Sequence, residues 1–163
     1  MLSKKMEDAL NEQINAELYS SYLYLAMAAW FQEANFVGFA AWMRAQAKEE
    51  EAHAMKIYDY ILERNGHVSL RPVAAPGDSF GSPLKVFEAA YKHEQSITAR
   101  IHKLAELAAE EHDRATAVFL QWFIGEQVEE EAQTSLIYEQ LKMVGEDHIG
   151  GIFMLDHRFG SRQ

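Results

Sequence analysis

Cysteine is absent from this 163-residue chain. Its absence removes disulfide staples, thiolate zinc sites, thiol nucleophiles and iron–sulfur ligation together, leaving carboxylates and imidazoles as the available metal ligands. Proline and glycine are scarce, at three and nine residues. With so few breakers, and with Ala, Glu, Leu, Gln and Met recurring throughout, helix is the expected state nearly everywhere and the fold class is all-α. Long apolar runs are missing too. The longest, Leu23 to Phe31, falls well short of the ~20 residues that a bilayer span needs, and the N-terminal Met-Leu-Ser-Lys-Lys stretch has no apolar export core. A soluble, cytoplasmic protein with no membrane partner is expected. Basic residues are outnumbered 15 to 25, for a formal charge of −10. Nucleic acid and anionic membranes are poor partners for such a surface, and cations are better ones.

What is present is enough apolar character, 48%, for one core and one domain over 1–163. Capping signals and apolar periodicity predict helices over about 3–35, 37–65, 83–111 and 113–144, with a short fifth over 146–158. Ser3, Ser82 (followed by Pro83) and Asp113 are the expected N-caps, and Gly66 is the expected residue just past the second helix. The fifth segment carries Ile149, Ile152, Phe153 and Leu155, is weakened as a helix by Gly150 and Gly151, and should bury its apolar side against other subunits. Between helices two and three lie 17 residues, 66–82. Fully extended they reach about 56 Å, against about 45 Å for a 30-residue helix, so this loop can run the length of a bundle while the other connections cannot. The expected topology is a four-helix bundle with one long crossover, helices two and three being parallel.

Each apolar stripe is interrupted midway by polar residues: Glu17 on the first helix, Glu50 with His53 on the second, Glu94 on the third, and Gln127 with Glu130 on the fourth. Buried together, such carboxylates repel one another unless protonated, paired or neutralised by metal, and no Lys or Arg shares their stripes at that level. Glu50 and His53 stand at i, i+3, where both can reach one ion. The two halves of the chain echo each other at a separation of 77 residues, pairing 17 with 94, 50 with 127, and 53 with 130. The echo also relates Glu49 to Glu126 and Trp42 to Phe119. One Glu from each of two helices, facing an i, i+3 pair from each of the others, is the pattern of a di-iron carboxylate bundle. Oxygen-rich ligation with one imidazole suits iron, manganese or zinc. A single histidine and a Gln at the second position predict one weakly held ion, which fits passage of metal better than a permanent cofactor.

The segments Asn11-x-x-Ile-Asn-Ala-Glu17-Leu-Tyr-Ser-x-Tyr-x-Tyr24, Glu49-Glu50-x-x-His53-Ala and Glu126-Gln127-x-Glu129-Glu130-Glu131 resemble the bacterial and archaeal non-haem ferritins, over nearly the whole chain. The resemblance implies a ferritin-like fold in a 24-subunit homo-oligomeric shell. It implies iron storage, with a ferroxidase that oxidises Fe(II) using O₂ or H₂O₂. Glu17, Glu50, His53 and Glu94 would carry the di-iron centre, with Gln127 as a hydrogen-bonding neighbour and Glu130 as an additional ligand. Glu49, Glu126, Glu129 and Glu130 would form a third iron site, and Tyr24 would be an electron donor beside the centre. Bacterioferritins carry a second Glu-x-x-His, here Gln127-x-x-Glu130, and a haem-ligating Met where this chain has Glu51, so no haem is implied. Rubrerythrins add a cysteine-rich iron domain, which this chain cannot build.

Two other functions compete: a di-iron oxidase or peroxidase acting on a small substrate, and a helical bundle that holds no metal. His67, His93, His102, His112, His148 and His157 fall off the stripes and read as surface residues. Met27, Met43, Met55 and Met143 read as packing residues.

Overall fold

The computed structural model describes residues 1–161, and among these there are five helices and no strand: α1 (Lys4–Glu33), α2 (Val37–Glu63), α3 (Pro83–Glu110), α4 (Arg114–Val144) and α5 (Ile149–Phe159). The side chains of Ser3, Ser82 and Asp113 accept hydrogen bonds from Met6 N, Lys85 N and Thr116 N, closing the first turns of α1, α3 and α4. The C-termini of α1, α2 and α3 share one device: Phe36 N bonds back to Phe31 O, Gly66 N to Ile61 O, and Asp113 N to Ala108 O. In each, the residue before the donor turns left-handed: Asn35, Asn65 and His112, with φ of 67°, 56° and 55°. The left-handed residue past α2 is therefore Asn65 rather than the expected Gly66.

Contacts between helix ends fix the topology. Glu7 at the start of α1 accepts from His67 N just past α2, and Ser3 bonds Glu111 at the end of α3. Tyr60 late in α2 meets Thr116 early in α4, while Ser82 before α3 meets Glu146 after α4. α1 thus runs antiparallel to α2 and α3, α4 runs antiparallel to both as well, and α2 and α3 are parallel. The crossover follows α1, stitched to it by two asparagines one turn apart. Asn11 Nδ2 donates to His67 O and Asn11 Oδ1 accepts from Ser69 N, while Asn15 Nδ2 donates to Arg71 O and Pro72 O.

α5 begins three residues later than expected, because residues 145–148 form a turn closed by His148 N to Gly145 O. It packs on α2 and α4, burying Ile152 and setting Phe153 beside Phe36, ring centroids 5.0 Å apart. Gly38 and Gly160 allow the close approach: a Cβ on Gly38 would fall 1.9 Å from Asp156 O. Among the described residues, no helix is long and apolar enough to cross a membrane.

The core is in two apolar halves. One gathers Phe31, Phe39, Trp42, Phe87, Ile137 and Leu141 at the α5 end, and the other gathers Met6, Leu10, Ile57, Ile61, Ile101 and Leu120. Met27 and Met43 are buried there as expected, but Met55 and Met143 are exposed, because both lie off the inward stripes of their helices. Between the two halves, at the middle of all four helices, lies a layer of buried polar side chains.

Candidate metal centre

Helical periodicity carries Glu17, Glu50, Glu94 and Glu130 into that layer, and the same packing that buries the apolar turns above and below leaves them 0–2% exposed. Among the described residues, three sets have ligand atoms that lie within 4.8 Å of one another: Glu17, Glu50 and His53; Glu50, Glu94 and Glu130; and His53, Glu126 and Glu130. Glu50 belongs to the first two sets and His53 to the first and third.

Amide side chains hold the carboxylates from behind. Gln13 Nε2 donates to Glu17 Oε1 at 2.8 Å. Gln46 Nε2 donates to Glu50 Oε1 at 2.8 Å and to Glu130 Oε2 at 2.6 Å. Gln127 Nε2 donates to Glu94 Oε2 at 3.2 Å, and the Tyr24 hydroxyl donates to Glu94 Oε1. What remains unbonded points inward. Among the described residues, the buried side-chain atoms with no hydrogen-bond partner are Glu17 Oε2, Glu50 Oε2 and His53 Nδ1. Both oxygens approach that nitrogen, at 3.9 and 3.3 Å. Three unpartnered ligand atoms converging in a buried layer are costly on their own and suit a divalent cation.

Electrostatics agree. Burial drives the Glu17 carboxyl well above the ordinary carboxylate range, and the neighbouring Glu50 drives it the same way. Glu50 is raised well above that range by burial, then by Glu94 and Glu130. Glu94 is raised by burial against the opposing effect of its bonds from Tyr24 and Gln127. Burial also lifts Tyr24, reinforced by Glu94, so its hydroxyl keeps the proton that it donates. Crowded carboxylates that resist ionisation alone are the arrangement that a multivalent cation relieves.

The Ferritin-like domain family matches residues 7–144 of the chain. The chain belongs to the ferritin family. A bacterial non-heme ferritin of Bacteroides fragilis (strain 638R) is 41% identical to it over 162 residues, covering 99% of this chain and all of the relative. One from Staphylococcus aureus (strain MRSA252) is 40% identical over 162 residues, covering 99% and 97%. The solved open-pore ferritin of the hyperthermophilic archaeon Archaeoglobus fulgidus shares 49% of its residues and superposes with a TM-score of 0.98 over the whole of both chains. A closed form of that ferritin, engineered by site-directed mutagenesis, gives 0.97 at 49% identity, covering 100% and 99%.

Within this ferritin, Glu17, Glu50, His53, Glu94, Gln127, Glu130 and Tyr24 come together in one layer, and Glu126 joins its edge, with Oε1 3.8 Å from His53 Nε2. Glu49 is half-buried and Glu129 exposed, and neither enters the three ligand sets, because both sit to one side of the inward stripe. Gln13 and Gln46, which sequence reasoning gave no role, each stand four residues before a carboxylate on the same helix face, Glu17 and Glu50, so the i, i+4 spacing was the available signal. His93 is a correction. Its ring is half-buried rather than at the surface, packs near Tyr19 and Tyr24, and bonds Ser20 Oγ at 2.7 Å. It lies beside the α1–α3 contact, where the first-helix side chains Ser20 and Tyr24 enclose it.

Proposed function

We propose that this chain is an iron-storage subunit whose buried layer is a ferroxidase centre: Fe(II) is the substrate, O₂ or H₂O₂ the oxidant, and Fe(III) the product delivered to a mineral inside a cytoplasmic shell of 24 subunits. The observation that carries this reading is the convergence of Glu17 Oε2, Glu50 Oε2 and His53 Nδ1, with no partner, in the polar layer. On this reading Glu17, Glu50 and His53 hold one iron and Glu50, Glu94 and Glu130 the other, with Glu50 shared so that two ions sit close enough to give up electrons together.

The chain's own residues set the conditions. Gln13 and Gln46 hold Oε1 of Glu17 and Glu50 and leave Oε2 of each turned inward, while Gln127 orients Glu94. Tyr24, bonded to Glu94, supplies a proton donor and a one-electron source at the edge of the centre. On the same reading His53, Glu126 and Glu130 form a third position. Four Fe(II) give one electron each to reduce one O₂ to the level of water, and two suffice for H₂O₂.

Aerobic titration with Fe(II), following Fe(III) absorbance, tests the reading. Wild type is expected to oxidise about two irons per subunit rapidly and then to take up many more in soluble form, and Glu50→Ala/His53→Ala to lose the rapid phase. Uptake that stops at two tightly held irons would favour an oxidase acting on another substrate. Identical behaviour of wild type and variant would refute the metal centre.

A further inference from the structure

The most open ligand in the buried cluster is Glu126. Its side chain is 25% exposed, against 5% or less for His53, Glu17 and Glu50. A cation arriving from solvent by this route meets Glu126 before the His53 Nε2 that stands 3.8 Å behind it. Two residues flank this approach. Trp122, one turn before Glu126 on α4, is 41% exposed and packs edge-on to the His53 ring, with centroids 5.4 Å apart at 78°. Lys56, one turn beyond His53 on α2, reaches across the seam and holds its Nζ 3.6 Å from the centre of the Trp122 ring.

The choice of partner is informative. Glu49, Glu126 and Glu129 lie within two turns on the same pair of helices, yet Lys56 makes no ion pair among the described residues. Its ammonium rests on the indole face, where a cation is attracted by the ring quadrupole and its stem is committed to bridging the helices. The positive charge is thus held on the Trp122 ring, one turn of α4 from Glu126.

We propose that Lys56 and Trp122 form a clasp across the α2–α4 seam that governs how fast divalent cations pass from Glu126 to His53. This rests on the reading of the buried cluster as a metal centre. The ammonium repels an approaching dication and also pins the indole against His53, so the ring must swing aside before an ion gains the inner ligands. Removing the charge relieves both effects. The role is one of access rather than chemistry, since neither side chain belongs to a ligand set.

Stopped-flow binding of Co(II) to the full-length protein separates the clasp from the reading beneath it, because Co(II) uptake needs no oxidant. Binding is followed by the visible absorbance of the bound ion and by Trp122 fluorescence, assigned with Trp122→Phe. Lys56→Met is expected to bind Co(II) about 3-fold faster or more at low ionic strength, with the advantage shrinking near about 0.5 M salt as the charge is screened. Lys56→Arg, which stacks on the indole and keeps the charge, is expected to match wild type, and the number of ions bound at equilibrium to be the same in all. Lys56→Gln gives the same comparison should the methionine variant not fold. Equal rates in wild type and the uncharged variant overturn the clasp while leaving the metal centre intact. Acceleration by Lys56→Arg as large as by Lys56→Met also overturns it. Absence of Co(II) binding in wild type overturns the metal centre itself.

Discussion

Asp156 of α5 accepts a hydrogen bond from Phe39 N at 2.7 Å, across 117 positions of sequence. It thereby caps α2 from outside, since the local N-cap, Phe36, has no side chain able to do so. The buried carboxylate also meets the positive end of the α2 dipole. Asp156→Ala is expected to lower stability by about 1–2 kcal/mol and to loosen α5. Asp156→Asn, which keeps an acceptor, is expected to lose less. Urea unfolding midpoints and amide exchange in α5 provide the check, and an alanine variant as stable as wild type would show that the cap contributes nothing.

Asn11 ties the start of the crossover to α1 through both ends of its amide. Asn11→Leu removes the bonds to His67 O and from Ser69 N and leaves both backbone groups in need of water. A loss of about 1–3 kcal/mol is expected. Limited proteolysis is expected to cut within 66–82 faster in the variant than in wild type, and unchanged cutting would assign the loop's order to other contacts.

Crowded carboxylates make the metal-free protein sensitive to pH in an unusual direction. Glu17, Glu50 and Glu94 are raised above the ordinary value of 4.5, so the folded chain binds more protons than the unfolded one. Stability from this source is complete below 4.5 and falls as pH rises through the raised values. Thermal unfolding of the metal-free protein is expected at a lower temperature near about pH 8 than near about pH 5, with Glu17→Gln flattening the difference. Divalent metal is expected to reverse the slope, because it binds the deprotonated carboxylates.

His93 is expected to stay neutral far into acid. Burial, helped by Arg100, lowers its pKa from 6.5 to about 4. Its contribution to stability is present above 6.5 and lost as pH falls toward 4, opposite in sign to that of the carboxylates. Ser20 Oγ already donates its proton to Ala16 O, so the His93 proton sits on Nε2 and points at Ser20. Nitrogen-15 NMR of the imidazole tests both statements. A ring that titrates near the ordinary histidine value, or that carries its proton on Nδ1, would contradict the packing described.

The helices, their three side-chain caps and the crossover were legible because each depends on nearby residues or on chain length alone. Glu17, Glu50, His53 and Glu94 were legible because a charged residue inside an apolar stripe has few bland explanations. Gln13 and Gln46 were overlooked because an uncharged amide on a stripe carries no comparable signal until its acceptor is seen. Asp156 and His93 were out of reach for a different reason. Their partners lie on other helices, 117 and 73 positions away, and no local pattern announces such contacts. Asn65 took the place expected of Gly66 because asparagine also tolerates the left-handed region, so the neighbouring glycine misled by one residue.

The amides behind the cluster carry no charge, so none of them offsets the negative charge of the four carboxylates Glu17, Glu50, Glu94 and Glu130. On the proposed reading their four negative charges match two ferrous ions with no remainder, a ligating imidazole being neutral. Two ferric ions would exceed that balance by two positive charges. The pocket is therefore neutral around the substrate and overcharged around the product, so that each oxidation either draws hydroxide from water or pushes the product out toward the next acidic group, Glu126. A pocket built as an electrical match for one oxidation state is a way-station rather than a resting place for iron.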